Sequence, residues 1–215
     1  PRDLDELAKL PEGAVRGKIV FFNRPMKRAR DGAGYGDVVP VRSRGPARAG
    51  KLGAVAVLLR SVGTSGNRLP HTGTTRYEKD GPRIPAAALA GPDADLLVRQ
   101  LRGGVVRVHL ELTPRERGET QSANVVAEVP GTDPSGELVL LAAHLDSWDL
   151  GPGALDDAAG VAIVLEAARH IAALKRRPRR TVRVVLYAAE EIGIVGAKAY
   201  AEAHSAEIAR HVVAT

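Results

Sequence analysis

The 215-residue chain has no cysteine, one methionine, one tryptophan and only 3% Phe, Trp and Tyr. Without thiols it has neither disulfides nor zinc–thiolate sites, so any metal must be held by imidazole and carboxylate. The shortage of aromatics argues against a nucleic-acid surface, because bases stack on aromatic rings. The net charge of +6 is spread over loops such as RPMKRAR (24–30) and KRRPRR (175–180), which read as solvated basic loops with no nucleic-acid partner. No run approaches the roughly 20 apolar residues of a membrane span. No charged-then-apolar leader precedes the first strand either, and the chain opens on Pro1 and closes on the apolar HVVAT. Both ends read as cuts through a longer protein.

What is present is 44% hydrophobic residues, enough to build a core in one large domain or two small ones. The pattern changes near residue 118. Before it, GKIVFF, GAVAVLLR, IPAAAL and VVRVHLEL are short β-like runs separated by Gly and Pro, with helical patches at 3–10 and 92–101. Residues 1–118 are therefore expected to form a small β-rich domain. GAGYG (32–36) has the wrong spacing for a dinucleotide fingerprint and no helical pattern after it, so it is read as a loop. PRERGETQS (114–122) has the composition of a linker.

Residues 119–215 alternate. SANVVAEV, ELVLLAA, TVRVVLYAA and HVVA read as strands, and helices are expected over 158–175 and 194–204. Alternation of this length predicts an α/β layer, a mostly parallel sheet flanked by helices. Val161, Val164, Leu165, Ala168 and Ile171 recur at helical spacing, which assigns them to the core.

The chemistry concentrates in LLAAHLDSWDLGPGALDDAAG, Leu140–Gly160. Functional groups in open parallel sheets collect at the carboxyl ends of strands, and His144 and Asp146 follow one strand while Glu190 and Glu191 follow another. Asp156 and Asp157 stand at the mouth of the helix between them. Taken singly, each has a plain explanation: an Asp caps a helix, and a Glu pair favours a helix N-terminus. One cap does not need two carboxylates, however, and the groups occur together. Hydrolytic zinc sites without thiolates use imidazole and carboxylate, and two zincs roughly 3.5–4 Å apart share a bridging carboxylate. Asp156 suits the bridge, and Asp146 suits a support that orients His144 from behind. Of Glu190 and Glu191, one would bind metal and the other would take a proton from the bridging water; the spacing leaves open which does which. Trp148 reads as a packing anchor, with pocket lining as the alternative. His71, in HTGTT, is a candidate for the rim of the site.

HLDSWDLGPGALDDAAG followed by YAAEE resembles the co-catalytic zinc exopeptidases of the M28 type, and HLDSWD resembles their plasma glutamate carboxypeptidase branch. GKIVFF, GKLGAVAVLLRS, HTGTTRYEKDGPRIPAAAL and GGVVRVHLEL resemble the protease-associated domain inserted in that family, so the resemblance covers essentially the whole chain. It implies that His144 binds one zinc, Asp156 bridges two, Glu191 binds the second, Glu190 is the general base and Asp146 orients His144. It also implies a cis peptide between Asp156 and Asp157, a dipeptide or short-peptide substrate, amino-, carboxy- or dipeptidase activity, and action outside the cytoplasm. The family's remaining Asp and His ligands are expected beyond Thr215. This stretch by itself is therefore expected to bind zinc weakly and not to turn over, unless a second chain supplies the missing half; a homodimer is compatible with the family. The competing reading is a degenerate relative that keeps the fold as a binding or receptor module.

Overall fold

The computed structural model describes residues 1–115, 117–149 and 151–214. The chain divides into two compact units, Pro1–Glu116 and Arg117–Thr215.

In the first unit, β1 (Ile19–Phe22), β2 (Ala56–Arg60) and β3 (Ala86–Leu89) form a parallel sheet in the order β1-β2-β3. Helices α1 (Leu4–Ala8), α2 (Ala33–Lys51) and α3 (Gly91–Arg102) complete it. The central strand β2 is buried at Ala56, Val57, Leu58 and Leu59, as expected where both faces are covered. Leu7, Val20, Phe22, Val41, Val57 and Leu59 share one core, and each large apolar side chain so enclosed contributes about 1.5–3 kcal/mol.

This unit is α/β, which corrects the β-rich expectation in three respects. Parallel neighbours cannot be joined by a hairpin, so β1 reaches β2 through a crossover, and that crossover is the 19-residue α2. The sequence hides α2 because Pro40 and Pro46 lie inside it and glycines weaken it. Packing against the sheet outweighs those propensities, and it uses one glycine directly: a Cβ at Gly45 would stand 2.9 Å from the Phe22 ring. GAGYG is not a loop, since Ala33–Gly36 already belong to α2. VVRVHLEL is not a strand, since residues 105–112 pair with nothing in a sheet and Val105 is 95% exposed. Alternation makes a strand only where a neighbouring edge can accept the backbone.

In the second unit, β4 (Val125–Val129), β5 (Leu138–His144), β6 (Thr181–Tyr187) and β7 (His211–Ala214) are ordered β4-β6-β5-β7. β5 is parallel to both β6 and β7, and only β4 runs antiparallel. Helix α4 (Ala158–Ala172) covers one face, where Val164 meets Ala143, Val184 and Leu186. Helix α5 (Val195–Ala203) covers the other, where Tyr200 meets Leu140 and Val185. The sheet uses a narrower stripe of α4 than the apolar pattern offers: Val164 is buried, but Leu165, expected in the core, is 45% exposed. Among the described residues no helix is long and apolar enough to cross a membrane.

Candidate functional site

Parallel pairing brings the site together. β5 and β6 stay in register to their ends, His144 opposite Tyr187, and the Leu145 N–H donates to the Tyr187 carbonyl at 2.8 Å. The segments leaving the two strands therefore emerge side by side at one rim of the sheet. The Asp146 carboxylate ties them: one oxygen accepts the Glu190 N–H at 2.9 Å and the other the Glu191 N–H at 3.0 Å. Burial would push this carboxyl up, but the backbone donors outweigh it and hold the group below its ordinary range. Asn124, just before β4, braces the same turn by accepting from the Ala188 N–H at 3.0 Å and donating to the Gly196 carbonyl at 2.8 Å.

His144 is fixed at three points. Its N–H donates to the Asp157 carboxylate at 3.0 Å, its Nδ1 lies 2.9 Å from the Asp146 carbonyl, and its Nε2 lies 2.9 Å from Asp156 Oδ1. A carbonyl only accepts, so the Nδ1 proton points to it and the Nε2 lone pair is left facing a carboxylate oxygen. Two electron-rich atoms at that distance call for a proton or a cation between them. Burial would lower the His144 pKa, yet the Asp146 carbonyl and the carboxylates of Asp156, Asp157 and Glu190 together raise it. Glu190 Oε2 is 4.0 Å from Nε2. Glu191 is raised, first by burial and then by the charge of Asp156, while a hydrogen bond from Trp148 opposes the rise.

Asp157 occupies the N-cap position of α4 but makes no side-chain cap bond; its carboxylate is spent on His144 instead. The Asp156–Asp157 peptide is cis. Gly160 lets the helix approach, since a Cβ there would lie 2.2 Å from Asp157 Oδ1.

The structure thus brings His144 and Asp156 into direct contact, sets Glu190 at their edge, and fixes both glutamates through Asp146. The part of Asp146 that touches His144 most closely is its carbonyl; its carboxylate lies 3.6 Å from Nδ1. Among the described residues, no three His, Asp or Glu side chains close into a ready-made metal cage. The reading of residue types alone missed Asn124 and the role of Asp157. Trp148, read as packing, also donates to Glu191; being the only Trp in the chain was its one signal. His71 lies in the first unit, against Arg42.

Residues 124–214 match the profile of "Peptidase family M28". The chain belongs to peptidase family M28. It is 41% identical over 208 residues to carboxypeptidase Q of Mus musculus, covering 96% of this chain and 43% of that protein. Against the Homo sapiens carboxypeptidase Q, identity is 39% with the same coverage, 96% and 43%. The crystal structure of a peptidase M28 precursor from Shewanella amazonensis SB2B superposes with a TM-score of 0.93 at 48% identity, covering 100% of this chain and 49% of that one. An aminopeptidase from Aneurinibacillus sp. strain AM-1 gives a TM-score of 0.53 at 26% identity, covering 97% of this chain and 46% of that one. The chain spans somewhat less than half the length of these relatives.

Proposed function

We propose that the chain is part of a zinc-dependent exopeptidase that hydrolyses dipeptides or short peptides, with residues 1–118 as a protease-associated-like domain and 119–215 as the first half of the peptidase domain. The observation that carries this reading is His144 Nε2 held 2.9 Å from Asp156 Oδ1 at the rim of the sheet, an imidazole and a carboxylate placed so that a cation can take the place of the proton between them. In this assignment His144, Asp156 and Glu191 would hold the zinc, with Asp156 shared between two ions. Bound zinc would polarise the scissile carbonyl and acidify the attacking water.

The chain's own residues supply the rest. The Asp146 carbonyl keeps the His144 proton on Nδ1, so that Nε2 remains a ligand atom. The Asp146 carboxylate fixes the backbone of Glu190 and Glu191. Glu190 accepts a proton from the water as its oxygen bonds to the carbonyl carbon, then returns it to the nitrogen as the C–N bond breaks. The products are a free amino acid and the shortened peptide. Action outside the cytoplasm is part of the same proposal, by kinship with the family.

A metal-free binding module that keeps the fold is the competing reading. Zinc analysis of the complete protein separates the two. Two zincs per chain support the peptidase, and none under zinc-replete conditions supports the module. For the base, Glu190→Gln in the complete protein should lower kcat by at least about 100-fold while zinc content stays near normal. Hydrolysis at the original rate would remove Glu190 from that role.

A further inference from the structure

Arg42, in the middle of α2, is 9% exposed, and its hydrogen bonds go to three neutral acceptors: His71 Nδ1 at 3.2 Å, the Thr72 carbonyl at 3.0 Å and Tyr35 Oη at 3.0 Å. Its Nε is buried without a hydrogen-bond partner. A guanidinium keeps its proton, and a buried one is ordinarily matched by a carboxylate. Among the described residues Arg42 makes no ion pair; besides its hydrogen bonds, its Cζ lies over the Tyr35 ring, 5.8 Å from the centroid. Nor can the covering loop supply an opposing side chain at its nearest point, Gly73, where even a Cβ would stand 2.3 Å from Arg42 Cζ.

The groups around Arg42 turn this charge outward. Arginine only donates, so His71 Nδ1 accepts and the imidazole proton sits on Nε2. The His71 N–H is itself anchored to Ser61 Oγ at 2.9 Å, immediately past the carboxyl end of β2. Tyr35 Oη accepts from Arg42, which leaves its own hydrogen to be donated. Both rings are exposed and meet edge to face with centroids 6.4 Å apart. Two oriented donors stand at the surface, backed by one buried positive charge.

We propose that Tyr35, Arg42 and His71 form a binding site for a carboxylate, and that its ligand is the C-terminal carboxylate of a peptide. One cation with two donors complements a planar monoanion that has two acceptor oxygens; a phosphate dianion asks for further cations. The peptide source of the carboxylate rests on the exopeptidase reading. The test therefore uses binding alone, which does not depend on zinc chemistry.

The 215-residue chain would be titrated with an N-acetylated dipeptide, with the C-terminal amide of that dipeptide, and with inorganic phosphate, following the His71 ring nitrogens by NMR. The acid should shift those signals saturably, the amide should not, and phosphate should compete only weakly. Tyr35→Phe, which removes one exposed hydroxyl, should weaken binding of the acid about tenfold, in keeping with loss of a hydrogen bond to a charged group. Arg42→Met should abolish it, and Tyr35→Phe preserves the test if that variant fails to fold. Binding of the acid should be the same with and without a zinc chelator, so that loss of the hydrolytic reading and loss of this site are told apart. Equal shifts with the amide, tighter binding of phosphate, or undiminished binding by Tyr35→Phe would overturn the proposal.

Discussion

At the scale of single residues, two carboxylates of the site, Asp146 and Asp157, accept from backbone N–H groups. Asp146 takes the N–H groups of both Glu190 and Glu191, one on each oxygen. In Asp146→Asn, one of those oxygens becomes an NH2 that faces an N–H. The expected cost is about 1–3 kcal/mol of stability, the penalty for a half-buried donor left unmatched, measured by urea denaturation of the chain. Unchanged stability would show that the clamp is unimportant. The candidate residues stood out in the sequence because His144, Asp146, Asp156, Glu190 and Glu191 occur together around two strand ends, whereas each alone has a structural explanation. The division of labour between Asp156 and Asp157 could not. Two adjacent aspartates are spelled alike, and only the position of the His144 N–H, 13 residues earlier in the chain, selects which of them becomes the backbone acceptor.

At the scale of elements, Arg183 on β6 gathers four segments. It donates to Glu128 on β4 at 2.7 Å, to Tyr200 on α5 at 2.9 Å, and to Glu207 in the 3-10 turn Ser205–Arg210 that leads into β7. Arg183 first, and His204 as well, hold Glu207 down at about 2 against an ordinary 4.5. Its folded pKa is depressed, so its stabilising contribution is fully present above about 4.5 and disappears as the pH falls toward 2. Amide exchange in 205–214, compared between pH 6 and pH 3, should show protection reduced at the acid end in the natural chain. Glu207→Gln should already be weakened at pH 6 and nearly insensitive to the change. The second unit's helices were visible in their apolar periodicity. Helix α2 was not, because its prolines and glycines argue against a helix locally, and only the need for a crossover that packs Val41 into the core with Phe22 makes it one.

At the scale of the whole chain, each unit encloses its own core. Residues 117–122 are exposed and outside any helix or strand, the usual condition for proteolytic nicking. Brief trypsin treatment should therefore cut first after Arg117, leaving two fragments that each keep far-UV circular dichroism. Early cleavage inside α4 or α2 instead would contradict two independently packed units.

The sequence by itself determined the chemical inventory, the α/β alternation after residue 118 and the family, because residue type and period are local properties. Tertiary structure alone decided that the first unit is parallel α/β, which carboxylate anchors which backbone donor, and that Arg42 lies buried against neutral acceptors. Those outcomes depend on groups far apart in the chain arriving at hydrogen-bond distance, and no spacing along the sequence records that approach.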